Sequence, residues 1–121
     1  MNIYSDVDGV ILSKSGTQKP HLREFLLPLF EKHAGNIYWL TTHCKENDTR
    51  RVLSHLKTNV EEDLFQLLFT VKPTTWSTLK TEGIDFTQPF QWYDDYILEA
   101  EKEVLKKHNC LESWIYVNPL Q

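Results

Sequence analysis

NIYSDVDGVIL, residues 2–12, is the stretch on which the reading of this chain turns. Residues 2–7 read as a strand, with Asp6, Asp8 and Gly9 at its carboxyl end. If the strand stays extended that far, the two aspartates leave one face with backbone positions roughly 7 Å apart. Two carboxylates there make a hard, oxygen-rich site of the sort that magnesium occupies together with a substrate phosphate. One carboxylate can attack phosphorus, and the other can carry a proton to and from the leaving group. Gly9 lets the chain turn sharply straight afterwards. Asp-Gly is also an ordinary turn signal, so the pattern takes its meaning from its place after a strand.

Outward from this strand, strands and helices alternate. A polar loop over 13–19 leads to Pro20, suited to a first helical turn, and Leu22, Phe25, Leu26, Leu29 and Phe30 follow at helical spacing. Pro28 is expected to kink that helix, and Gly35 and Asn36 to stop it. A second strand over 36–40 ends in Thr41 and Thr42. Asn47 or Asp48 can cap a helix reaching about residue 57, with Val52, Leu53 and Leu56 inward. The apolar run 65–71 predicts a third strand, ended by Pro73, and 74–83 a helix carrying Trp76, Leu79 and Lys80. A strand over 89–93, a helix over 97–108 and a fifth strand over 114–117 complete the chain. Such alternation predicts an α/β, three-layer, Rossmann-like domain spanning 1–121, with a central five-stranded, mainly parallel sheet.

In parallel sheets chemistry collects where strands end. That selects Asp6 and Asp8, Thr41 (or Thr42 if the register slips) and the pair Asp94–Asp95. A threonine hydroxyl at a strand end can bind a phosphate oxygen. Adjacent aspartates after an apolar strand repel each other unless a cation or a helix N-terminus relieves them. Lys80, with Lys72 as competitor, can neutralise a nucleophile and a phosphate together. His43 lies close enough to Thr41 to contact substrate. His21, His33, His55 and His108 read as surface residues without metal-type spacing, and Cys44 as a loop cysteine.

These stretches together resemble the haloacid dehalogenase superfamily. NIYSDVDGVIL resembles its first motif, NIYWLTT its second, Lys80 in WSTLKTEGI its third and FQWYDD its acidic fourth, in that order. The resemblance implies a magnesium-dependent phosphatase working through an aspartyl-phosphate. Asp6 would be nucleophile and metal ligand. Asp8 would be general acid and base, binding metal through its backbone carbonyl. Thr41 and Lys80 would hold the phosphoryl group, and Asp94 and Asp95 would complete the magnesium site. The short stretches from Asp8 to Thr41 and from Lys57 to Lys80 leave no room for the cap domain many members carry. Capless members tend to act on macromolecular or bulky phosphorylated substrates. A non-catalytic binding module of the same fold, or a phosphotransferase, are the alternatives.

Composition sets outer limits. Apolar residues make up 40% and charged residues 25%, a globular balance. The net charge of −4 disfavours a general nucleic-acid binder. The N-terminus does not read as a signal peptide and no apolar run suggests a membrane span, so the expected location is cytoplasmic. Along the fifth strand Trp114 and Tyr116 share one face, and Ile115 and Val117 the other. Both faces are apolar, and no helix follows to cover them. That edge is therefore expected to contact a second copy or a protein partner.

Overall fold

The structure, a computed structural model, describes residues 1–120. Four parallel strands form one sheet: β1 (Asn2–Ser5), β2 (Ile37–Trp39), β3 (Phe90–Asp94) and β4 (Trp114–Tyr116), in the order β2-β1-β3-β4. Four helices accompany them: α1 (Leu22–His33), α2 (Arg50–Lys57), α3 (Glu62–Leu68) and α4 (Glu99–Lys107). Short 3-10 turns span Lys80–Gly83 and Leu111–Ser113. The α/β, Rossmann-like expectation holds in this form, with four strands in place of five.

Alternation along the strands sends side chains to two cores. Ile3, Ile37 and Trp39 face one, which Leu22, Leu26, Leu29 and Phe30 of α1, Val52 and Leu56 of α2, and Leu64 and Leu68 of α3 close. Tyr4, Phe90 and Trp92 face the other, which Trp76, Ile84, Ile97 and Leu105 close. The α1 positions recur as i, i+4, i+7 and i+8, and the helix is continuous through Pro28. Gly35, at φ 87°, stands just after it.

Two expected elements are corrected. Residues 65–71 do not form a strand: Glu62–Leu68 is helical. Glu62 and Asp63 sit in its first turn, where acids favour the helix dipole, and Leu64 and Leu68 stack on one face. What is left of a third strand is one parallel bridge, Lys72 beside Tyr38, with Trp39 N–H donating to Lys72 O at 2.8 Å. Residues 74–83 do not form a helix either. Thr74, Thr75, Trp76, Ser77 and Thr78 are weak helix formers after a proline. They are tied down individually instead, Thr74 Oγ1 donating to Trp39 O at 2.6 Å and Trp76 Nε1 to Cys44 O at 3.2 Å. The Glu82 carboxylate accepts the N–H groups of Ser77, Thr78 and Leu79, which hold it well below the usual range, at about 2.

The sheet order places the site. From β1 the chain moves outward to β2, then returns past β1 to β3 and continues to β4. The direction reverses between β1 and β3, and a crevice opens at the carboxyl ends of such a pair. On the far edge, Trp114 packs against the second core and donates Nε1–H to Asp94 O at 3.1 Å, and Val117 packs against the first core. Tyr116 stays 59% exposed, so the described residues cover only part of the apolar surface expected to seek a partner. No helix among the described residues is long and apolar enough to cross a membrane.

Candidate active site

β1 ends at Ser5, earlier than its sequence suggests, and Asp6 N–H still donates to Tyr93 O at 3.0 Å. The chain then folds over itself: Val7 O accepts the N–H groups of Val10, Ile11 and Leu12. Asp6 and Asp8 therefore do not share an extended face. The Asp6 carboxylate turns inward at the β1/β3 crevice, and that of Asp8 turns toward α2.

Around Asp6 the structure gathers three charged side chains, Lys80, Asp94 and Asp95. One oxygen of Asp6 accepts Val7 N–H at 2.8 Å, and the other lies 3.4 Å from Lys80 Nζ. The same ammonium donates to Asp94 at 2.8 Å. Asp6, Asp94 and Asp95 each bring a carboxylate oxygen within 4.8 Å of the others. Asp6 and Asp94 are buried, and Asp94 is only 1% exposed. Two ammoniums face these three carboxylates, Lys80 and the exposed Lys14, whose Nζ lies 3.5 Å from Asp95, so the cluster is still one positive charge short. Burial, with the Asp6 charge beside it, pushes the Asp94 carboxyl up to about 8. Lys80 is half-buried, which by itself lowers its pKa, but Asp6 and Asp94 outweigh that and hold its ammonium above the ordinary value. The all-oxygen donor set and its remaining deficit of positive charge suit a hard divalent cation.

Of the two lysines considered, Lys80 is the one in the crevice; Lys72 is exposed, with Nζ 5.7 Å from the Tyr38 ring centroid. Lys80 leads its 3-10 turn, and its backbone N–H donates to Glu101 at 2.7 Å. Glu101, buried on α4, also accepts Leu98 N–H at 2.8 Å, so one carboxylate caps α4 and fixes the Lys80 backbone. Thr41 is fully buried at the end of β2, and its hydroxyl accepts His43 N–H at 3.3 Å. Thr42 is exposed.

The Asp8 carboxylate is not part of the acidic cluster. It lies 3.1 Å from His43 Nε2 and 3.5 Å from His55 Nε2. His55, read from sequence as a surface residue, therefore faces the site region. Lys19 was also missed: it is buried, and its ammonium donates to Gly9 O at 3.0 Å and to Asn118 O, tying the Asp-Gly turn to the chain beyond β4.

Gly9 is needed twice. Its φ of +89° favours glycine, and a Cβ there would lie 2.5 Å from the Asp95 carboxyl carbon. Gly9→Ala is thus expected to fold with a displaced Asp95, losing cation-induced stabilisation while keeping its circular dichroism spectrum. A melting curve with and without magnesium checks this, and an unchanged response would contradict it.

The chain matches no protein-family model, no curated protein and no solved structure.

Proposed function

We propose that this protein is a magnesium-dependent phosphohydrolase of the haloacid dehalogenase kind, cleaving a phosphate monoester through phospho-Asp6. The observation that carries the reading is the convergence of Asp6, Asp94 and Asp95, with Lys80 paired to the first two, at the reversal point between β1 and β3. Sequence order alone does not require those four to meet.

Asp6 is a fixed nucleophile, oriented by Val7 N–H on one oxygen and Lys80 on the other. In the first step an Asp6 oxygen bonds to phosphorus, the bond to the leaving oxygen breaks, and Asp8 supplies that oxygen with a proton. In the second step Asp8 takes a proton from water, the water oxygen bonds to phosphorus, and the Asp6–phosphorus bond breaks to release inorganic phosphate. Asp8 rotates from its His43 contact to act in either step. Lys80 offsets the negative charge of the transferring group. Thr41, buried at the neighbouring strand end, would bind a phosphoryl oxygen once its hydroxyl leaves the His43 amide. Asp6, Asp94 and Asp95 would hold the magnesium ion, which would supply charge neutralisation for the transferring phosphoryl group.

Between β1 and β2 the chain forms a loop and α1, and between β2 and β3 it forms α2, α3 and a 3-10 turn. None of these is a separate cap. That supports a substrate larger than a small metabolite, one whose own bulk excludes water.

The test is phosphate release from an aryl phosphate, a phosphopeptide and a phosphorylated oligonucleotide, each with magnesium and with a chelator. Magnesium-dependent release from at least one is expected. No release from any of them overturns the hydrolase reading, and transfer to added alcohols in preference to water would convert it to a phosphotransferase.

A further inference from the structure

We propose that Asp8, His43 and His55 form a second cation site, distinct from the acidic cluster and selective for zinc. The three residues come from three elements: the turn after β1, the loop after β2, and α2. Each offers one donor atom, and these atoms lie within 4.8 Å of one another. His43 Nε2 lies 3.1 Å from one Asp8 oxygen and His55 Nε2 3.5 Å from the other, so the two imidazoles share one carboxylate, a donor set of the kind zinc takes. The two rings stack with centroids 4.5 Å apart and planes 28° apart, so both Nε2 atoms are directed at one carboxylate.

Charge explains why a cation suits this arrangement better than an ion pair. A single carboxylate neutralises one imidazolium, and a second one stacked on the first adds like charge at short range. A divalent cation among the three removes the conflict, because neutral imidazoles then present lone pairs to it. The anchoring is firm on one side, since His55 stands on a helix whose Val52 and Leu56 are fully buried. On the other side an open cavity of about 360 Å³, bordered by Ser13, Lys14 and Gly16, leaves a coordination position for water or an anion.

Donor chemistry separates this site from its neighbour. Asp6, Asp94 and Asp95 are all-oxygen and suit magnesium; two imidazoles and a carboxylate suit zinc. The inference does not depend on the phosphatase reading. If that reading holds, zinc and turnover compete for Asp8.

The experiment titrates the full chain with zinc chloride against a chromophoric chelator in saturating magnesium, which occupies the oxygen site. Histidine ring resonances are followed by NMR in the same samples. One zinc per chain is expected, with the His43 and His55 resonances moving. His43→Gln and His55→Gln should each weaken zinc binding by roughly tenfold or more, with melting temperatures confirming that both fold. Asp94→Asn with Asp95→Asn should bind zinc as the wild type does. The proposal is overturned if the wild type takes up no zinc, which would leave a hydrogen-bonded triad only. Zinc binding that survives both histidine changes, or that is lost with Asp94 and Asp95, also overturns it. Because binding is the readout, a chain that takes up zinc but releases no phosphate would count against the phosphatase reading alone.

Discussion

Asp6→Asn is expected to abolish turnover of every phosphate monoester, whereas Asp8→Asn lowers it by an amount that depends on the leaving group. The Asp6 carboxylate is held on both oxygens, by Val7 N–H at 2.8 Å and by Lys80 at 3.4 Å. Asparagine is nearly the same shape and keeps one oxygen acceptor, so the fold survives, but an amide does not form the acyl phosphate. Asp8→Asn keeps the nucleophile and loses only the proton carrier, a role worth about 10²–10⁴ in rate. An aryl leaving group departs as a stable anion and needs little proton assistance, so Asp8→Asn should be far less impaired on an aryl phosphate than on an alkyl one. Steady-state rates on the two substrates, together with acid-quench trapping of phosphoenzyme, check both halves. Turnover by Asp6→Asn, or equal loss on both substrates in Asp8→Asn, would remove Asp6 or Asp8 from these roles.

Legibility in the sequence followed what each signal physically encodes. The strands β1, β2, β3 and β4 were all visible, because apolar runs bounded by turn residues and helices mark them. The run 65–71 failed because a short apolar segment does not reveal its own period. Glu62 and Asp63, just before that run, are the helix signal. The segment 74–83 failed for the opposite reason. Its leucine, tryptophan and lysine have roughly helical spacing, but the run of threonine and serine after Pro73 disfavours a helix, and Glu82 satisfies the amides another way. Asp6, Asp94 and Asp95 were legible because strand-end carboxylates in a parallel sheet have a predictable destination, whereas the preference for Lys80 rests on its place in an expected helix over 74–83 that does not form. Glu101 was half legible, as a glutamate three residues after Leu98 at a helix start. The pairing of Asp8 with His43 and His55 was not legible. It depends on the chain folding back at Val7 and on the rotation of α2, and neither leaves a local spacing to detect.

Magnesium should raise the melting temperature of the wild type markedly and that of Asp94→Asn with Asp95→Asn hardly at all. A ligand present at about a hundred times its dissociation constant adds about 2.7 kcal/mol to the native state. For a domain of this size that is on the order of 10 °C. The effect should grow with pH, and the sign follows from Asp94. Its carboxyl is pushed up to about 8 in the native chain by burial and by Asp6, whereas in the unfolded chain it titrates near 3.9. Without a cation the native state therefore holds the proton more tightly. Stability from this group is full below the unfolded value and declines as pH rises toward 8, because only the unfolded chain ionises freely over that window. Cation binding needs the ionised form, so a bound magnesium ion displaces the proton and removes the penalty. Melting curves at pH 5.5 and 8 should then show a small magnesium response at the lower pH and a large one at the higher. The double asparagine variant carries neither charge. Without magnesium it should melt above the wild type at pH 8, since a buried, underpaired carboxylate has been replaced by a neutral amide. Should the two proteins respond alike to magnesium, the cation binds elsewhere. Should the wild-type response be flat across pH, Asp94 does not carry the proton that the cation displaces.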